Sequence, residues 1–235
     1  MSASPLTILV TGGNKGIGLE VCRQLARAGH HVFLSARSVE RGKAAVATLK
    51  REGLTVDFLK LDTGDEKSIA QAARELSSRV KALHVLINNA AILQTWMGTI
   101  VEVTAEELRE TFNTNVVGPI LLTQALLPLL EAGRPARVIN VSSQLGSVAN
   151  MTDGWPGYGI SKAALNAATR KLAAALMSRG ISVNSASPGW VKTDMGTDDA
   201  PLSVEQGGRN IARLVTNFPA DTTNKFLQEH GEYPW

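Results

Sequence analysis

The chain has 235 residues, of which 44% are hydrophobic and 19% charged, with a formal net charge of +3. That is enough apolar material for one sizeable core, and the scattered Lys and Arg form no run of the kind that binds nucleic acid. The single cysteine, Cys22, excludes an intrachain disulfide and a Cys-rich metal site, and its place beside Val21 in a helical pattern predicts a core thiol. Residues 1–5 carry no basic region followed by an apolar stretch, and no apolar run is long enough to span a bilayer. The expectation is a cytoplasmic protein with neither signal peptide nor membrane anchor.

The elements alternate. Leu6–Val10 reads as a strand, followed by a Gly-rich turn and a helix over Ile17–Ala28, in which Ile17, Val21, Leu25 and Ala28 recur at helical spacing. Gly29 marks its end; His31–Ser35 reads as a strand, Val39–Glu52 as a helix closed by Gly53, and Val56–Leu61 as a third strand. A helix over Lys67–Arg79 and the strand Val85–Ile87 lead into Asn88-Asn89-Ala90. The pair Thr104 and Glu107 predicts a capping box opening one long helix towards Leu130. The strand Arg137–Val141, a helix from Tyr158 to Met177, the strand Ile181–Ala186, a short helix near Ser203–Leu214 and an edge strand around Lys225–Leu227 complete the order.

Strands separated by helices need crossover connections, hence a parallel sheet, and right-handed crossovers place helices on both of its faces. The prediction is one α/β domain over 1–235, a Rossmann-type doubly wound sheet flanked by helices. In such sheets ligands bind beyond the carboxyl ends of the strands, so the residues just after each strand are the ones to read.

After the first strand stands Thr11-Gly12-Gly13-Asn14-Lys15-Gly16-Ile17-Gly18. Glycines let the backbone bend tightly and approach a pyrophosphate, while the helix N-terminus offers unpaired N–H groups to it. Between the first strand and first helix of a βαβ pattern, this predicts a dinucleotide site rather than a merely flexible loop. The second strand ends in Arg37 and Ser38, where an NAD site usually carries an acid for the ribose 2′-hydroxyl. Arg37 would fork onto a 2′-phosphate with Lys15 as a second cation, so the expected cofactor is NADPH/NADP+; the alternative is two ordinary surface cations. Asp62 is placed to accept from the adenine amino group, and Asn89 and Ala90 to pass beside the adenosine ribose.

Tyr158 and Lys162, four residues apart, share a helix face, so the ammonium can lower the phenol pKa towards the working range of a proton donor. Ser143 or its neighbour Ser142 ends the fifth strand with a hydroxyl for the substrate oxygen; the second of the pair is preferred. Asn115 falls mid-helix, either a satisfied polar residue or the holder of a water that relays protons to Lys162.

Taken together, Thr11-Gly-x-x-x-Gly16-x-Gly18, Asp62, Asn88-Asn89-Ala90, Asn115, Ser143, Tyr158-x-x-x-Lys162 and Pro188-Gly189 resemble the short-chain dehydrogenase/reductase superfamily over almost the whole chain. The stretches Asn14–Gly18, Ser35–Arg37 and Pro188–Met195 are particularly similar to its NADPH-dependent carbonyl reductases. The resemblance implies a catalytic tetrad of Asn115, Ser143, Tyr158 and Lys162, with Lys162 also on the nicotinamide ribose and Val191 and Thr193 on the carboxamide. The expected cofactor-binding set is Gly12, Asn14, Lys15, Gly16, Ile17, Gly18, Arg37, Ser38, Asp62, Thr63, Asn89, Ala90, Tyr158, Lys162, Pro188, Gly189, Val191 and Thr193, with no metal.

Two departures from the family stand out. Ala91 replaces a frequent glycine, a mild change. Only fourteen residues separate Ser143 from Tyr158, where some monomeric carbonyl reductases carry a long insertion; the two long helices are then free to pair, which predicts a homodimer or homotetramer. The expected partner is a small carbonyl substrate, apolar if Trp96, Met97, Trp155, Trp190 and Met195 line its pocket rather than the core. The same residues serve alcohol oxidation, and a dinucleotide-sensing interaction protein without turnover is the alternative from outside catalysis.

Overall fold

The computed structural model describes residues 4–94 and 98–235. Eight strands form one sheet: β1 (Thr7–Val10), β2 (His31–Ala36), β3 (Val56–Lys60), β4 (Val85–Asn88), β5 (Ala136–Val141), β6 (Ile181–Ala186), β7 (Phe226–Gln228) and β8 (Gly231–Glu232). Their order is β3-β2-β1-β4-β5-β6-β7-β8, parallel throughout except for β8, which runs antiparallel to β7. The chain leaves β1 in one direction through β2 and β3, then returns to place β4 on the other side of β1. That reversal opens a crevice between the carboxyl ends of β1 and β4, where an open α/β sheet takes its ligand.

Strand alternation decides the two cores. Ile8 and Val10 of β1 face α1 (Gly16–Arg27), α2 (Val39–Arg51) and α8 (Val204–Thr216), packing with Val21, Leu25, Leu49 and Ile211. Leu9, between them, faces the opposite layer. There it joins Ile69 and Leu76 of α3 (Glu66–Arg79), Leu122 of α5 (Gly118–Ala125), Leu130 of α6 (Leu127–Ala132) and Leu176 of α7 (Pro156–Leu176). The doubly wound architecture expected from the sequence is the one observed. Cys22 lies fully buried in the first core, and burial pushes its thiol far up. No described helix is long and apolar enough to cross a membrane.

Two elements differ from expectation. The helix opening at Thr104 does carry the capping box, with Thr104 Oγ1 accepting from Glu107 N at 3.2 Å. It does not run on as one rod. α4 (Ala105–Phe112) gives way to a π-helical turn over Asn113–Val117, then α5, then a break at Leu126 before α6. Pro119 and Pro128 have no N–H for the ladder, so the hydrogen bonding must reset at each. Pi turns inside α-helices occur frequently at functional sites, and this one contains Asn115. The second difference is β7, which is not an edge: Gly231–Glu232 pairs outside it, a strand too short to show in any periodicity.

Candidate active site

Every strand of the parallel sheet from β1 to β6 delivers a polar group to the same rim. After β1 the chain turns through Thr11–Lys15 into α1, whose N-cap residue Lys15 supplies no side-chain cap and whose first turn holds no acid. The first N–H groups of a 12-residue helix are thus left for an anion. Gly12 and Gly16 have φ of 65° and 53°, a region L-residues seldom adopt. A Cβ at Gly16 would project into the space facing Thr193 Cγ2, 3.6 Å away, and one at Gly18 would fall on the Gly12 carbonyl oxygen. The turn therefore needs both glycines, and the cradle between it and the loop after β6 fits a phosphate-bearing group.

Thr11 and Asn89 lock this turn to the end of β4. Thr11 Oγ1 accepts from Asn89 N (2.9 Å) and Ala90 N (2.8 Å), while Asn89 Nδ2 donates to Thr11 O at 2.8 Å. Arg37 stands exposed after β2, and no ion pair to it is formed among the described residues. Ser38 caps α2, accepting from Arg41 N at 3.2 Å. After β3, Asp62 Oδ1 accepts from Gly64 N (3.0 Å), and Thr63 is buried beneath Gly118, where any Cβ would strike its carbonyl oxygen. Lys15 is not simply a second cation beside Arg37. Its ammonium pairs with Asp194, on the loop following β6, so that the pair bridges the phosphate turn and the segment Pro188–Met195. Asp194 falls within the stretch Pro188–Met195 singled out in the sequence, but only the fold brings it against Lys15.

The other half of the rim lies over β5, β6 and α7. Lys162 is 2% exposed, and its Nζ donates to the Val141 carbonyl at 2.8 Å. Its Nζ also lies 5.4 Å from the centre of the Tyr158 ring. Burial without a counter-ion lowers the Lys162 pKa to about 7. Burial likewise raises Tyr158 to about 12, with the Ser143 side chain pulling the other way. In the protein alone, desolvation thus outweighs the neighbouring ammonium, the reverse of what the spacing by itself suggests.

The two serines divide. Ser142 is buried, its Oγ pointing at the Lys162 carbonyl (3.4 Å), whereas Ser143 Oγ accepts from Leu145 N (3.2 Å) and is the serine whose side chain holds the Tyr158 pKa down. Asn115 is fully buried: its Oδ1 accepts from Ile92 N (2.9 Å), and its Nδ2 donates to Ile92 O (2.9 Å) and Ser161 Oγ (3.1 Å). Both amide hydrogens are taken, which leaves a relay water only an Oδ1 lone pair. A chain of buried amides and hydroxyls, Asn88 to Asn140 (2.8 Å), Asn140 to Thr169 (2.8 Å) and Ser185 to Thr169 (2.9 Å), cross-links β4, β5, β6 and α7 directly beneath the site. Asn88 and Asn140, at and next to the ends of the largely buried strands β4 and β5, are the sequence signal that could have found it.

Beside Tyr158 lies a shallow cleft lined by Leu93, Gln94, Val103, Glu107, Thr111, Trp155, Pro156 and Tyr158. Trp155 holds a left-handed backbone at φ 51°, rare for a non-glycine residue, at the N-cap of α7. Trp190 and Met195 are exposed on the loop after β6 and do not line this cleft. Trp96 and Met97 lie outside the described residues.

Comparison with known proteins agrees with this arrangement. Residues 6–201 match the family model described as short chain dehydrogenase. The chain is 32% identical to the (+)-neomenthol dehydrogenase of Arabidopsis thaliana over 90% of its own length and 92% of that protein. It is 33% identical to carbonyl reductase [NADPH] 1 of Sus scrofa, over 100% of this chain and 99% of the relative. The NADPH-bound carbonyl reductase from chicken fatty liver superposes with a TM-score of 0.90 at 30% identity, covering 99% of this chain and 100% of the other. The rim of strand-end residues and the Tyr158–Lys162 helix thus sit on a shared fold and a shared sequence pattern: the chain belongs to the short-chain dehydrogenase/reductase family and is carbonyl-reductase-like among its members.

Proposed function

We propose that this protein is an NADP(H)-dependent oxidoreductase that reduces the carbonyl of a small ketone or aldehyde, or oxidises the corresponding alcohol, with Tyr158 as the proton donor and acceptor. The observation that carries the reading is the convergence of Ser143, Tyr158 and Lys162 at one rim, with the Lys162 Nζ 5.4 Å from the phenol ring and Ser143 acting on the phenol's acidity. The cofactor, when bound, supplies or takes up the hydride.

The chain's own residues do the rest. Gly12, Asn14, Gly16, Ile17 and Gly18 present the N-terminus of α1 to the pyrophosphate, and Arg37 and Lys15 hold the 2′-phosphate. Ser38, Asp62, Thr63, Asn89 and Ala90 line the adenosine side, and Pro188, Gly189, Val191 and Thr193 the nicotinamide side. Ser143 donates to the substrate oxygen as negative charge develops there, and Tyr158 delivers the proton that neutralises it. Lys162, tethered to the Val141 carbonyl, places a cation beside the phenol and thereby stabilises the phenolate left behind. Asn115 keeps α7 and the loop after β4 in register for this.

The cleft beside Tyr158 is walled by Leu93, Val103, Trp155 and Pro156, and its charged lining residue is the acid Glu107. That composition favours an apolar, uncharged carbonyl compound over a keto acid. The purified protein, given NADPH and a panel of neutral aldehydes, neutral ketones and keto acids, should consume NADPH with the neutral compounds. Binding of NADPH without turnover of any of them would leave the dinucleotide-sensor reading instead. A homodimer or homotetramer through the α4–α5 and α7 faces completes the proposal.

A further inference from the structure

Ser143 sits on a loop rather than on a strand or helix, so its place relative to Tyr158 depends on what holds that loop. From the inside the answer is α7. A Cβ on Gly146 would come within 2.7 Å of the Lys162 backbone, one on Gly159 within 3.1 Å of the Leu145 carbonyl, and Asn166 Nδ2 donates to Gly146 O at 3.0 Å. From the outside the loop is held by β7 and the segment that follows it. Gln144 Nε2 donates to Gln228 Oε1 (2.9 Å), and the Trp235 carbonyl accepts from Ala149 N (3.1 Å) and Ser147 Oγ (3.4 Å).

The indole of Trp235 has its own seat. One side packs on the buried Phe226 of β7, ring centres 5.8 Å apart, and the Arg170 guanidinium lies over the ring at 5.5 Å. Arg170 is on α7, about two turns beyond Lys162. One side chain therefore touches strand β7 and the helix α7, and its backbone clamps the loop that carries Ser143.

We propose that Trp235 is a positioning residue for the reaction: by bracing loop 143–150 against α7, it sets the distance between the Ser143 hydroxyl and the Tyr158 phenol. The proposal rests on the hydride-transfer reading above. The nucleotide's phosphate turn, after β1 on the far side of the crevice, has no contact with this brace. Removing the brace should impair the chemical step and leave NADPH affinity alone.

The test compares wild type, Trp235→Ala, Trp235→Phe and Arg170→Ala for kcat, KM, NADPH affinity by fluorescence titration, and amide hydrogen exchange over residues 144–150. Small misplacements of reacting groups cost up to about 100-fold. Trp235→Ala should therefore lose ten- to a hundredfold, by the same order-of-magnitude reasoning, in kcat/KM, with NADPH affinity unchanged and faster exchange in the loop. Trp235→Phe, which keeps a ring between Phe226 and Arg170, should recover most of the loss, and the exposed Arg170→Ala should show a smaller loss of the same kind. Wild-type kcat/KM in a folded Trp235→Ala overturns the proposal, as does an equal drop in NADPH affinity. Should Trp235→Ala not fold, wild-type kcat/KM in Arg170→Ala overturns it. A wild-type protein inert towards every carbonyl compound overturns instead the hydride-transfer reading, and the catalytic role of Trp235 falls with it.

Discussion

Lys162 and Tyr158 stand one turn apart on α7, the Lys162 Nζ 5.4 Å from the centre of the phenol ring, and burial disfavours the charged form of both. The pair is held uncharged more readily than either group would be in water, and charge on one becomes easier when charge of the opposite sign appears on the other.

Tyr158→Phe removes the transferable proton and keeps the ring. Cofactor binding should survive, while turnover falls by the ~10²–10⁴ attributed to general acid–base catalysis. Lys162→Ala should weaken both, because it removes the cation beside the phenol together with the proposed ribose contact. Steady-state rates and NADPH titrations on both variants check this; near-normal reduction by Tyr158→Phe would refute the mechanism.

The pKa of Lys162 gives a stability prediction with a defined sign. Its folded value, about 7, lies below the ordinary lysine range, so between the two the unfolded chain binds the extra proton and stability rises with pH. The contribution is fully present above the ordinary lysine pKa and is lost as pH falls through about 7. Denaturant melts of wild type and Lys162→Met, made without added nucleotide from pH 6 to pH 10 (roughly the span over which the lysine titrates), should diverge. The difference should grow in favour of wild type by at most about 1.4 kcal/mol per pH unit. Parallel curves would mean that the ammonium is not buried.

Arg37 and Lys15 should contribute unequally to cofactor choice. Lys15 is shared with Asp194, and exposed ion pairs of that kind are weak, whereas Arg37 is unpaired among the described residues and can fork onto a phosphate. Arg37→Asp should reverse or erase a preference for NADPH, and Lys15→Ala should only reduce it. Equal kcat/KM with NADPH and NADH in the unaltered protein defeats the assignment.

Gly18→Ala tests the phosphate turn. The added methyl falls on the Gly12 carbonyl and lies 2.5 Å from Asn89 Nδ2, so the turn must open. Overpacking costs typically about 1–3 kcal/mol, which a shift in the denaturation midpoint will read, together with loss of NADPH binding. Gly29→Ala, where nothing stands within 4 Å, is the control for strain alone, since its φ of 85° is left-handed.

Light scattering at micromolar concentration should find a dimer or tetramer. A species of 25.0 kDa alone would rule out the proposed assembly.

Residue order and spacing alone determined the architecture, because a parallel sheet with right-handed crossovers has few ways to bury two apolar helix layers. They also located the strand-end residues, because strands must finish at one rim. Tyr158 and Lys162 were legible as a pair, since four residues along a helix is a local distance. Four features were decided only in three dimensions. The different settings of Ser142, tied to the Lys162 carbonyl of α7, and Ser143, tied to Leu145 of its own loop, follow from how two adjacent side chains alternate. The π turn at Asn115 ends where Pro119, which has no N–H for the ladder, follows Gly118 packed under Thr63. The Lys15–Asp194 pair and the Trp235 brace join residues far apart in the chain. The acidities of Tyr158 and Lys162 went the same way: sequence shows which charges are neighbours, but how much water reaches them is a property of the packed whole, and here desolvation outweighs proximity.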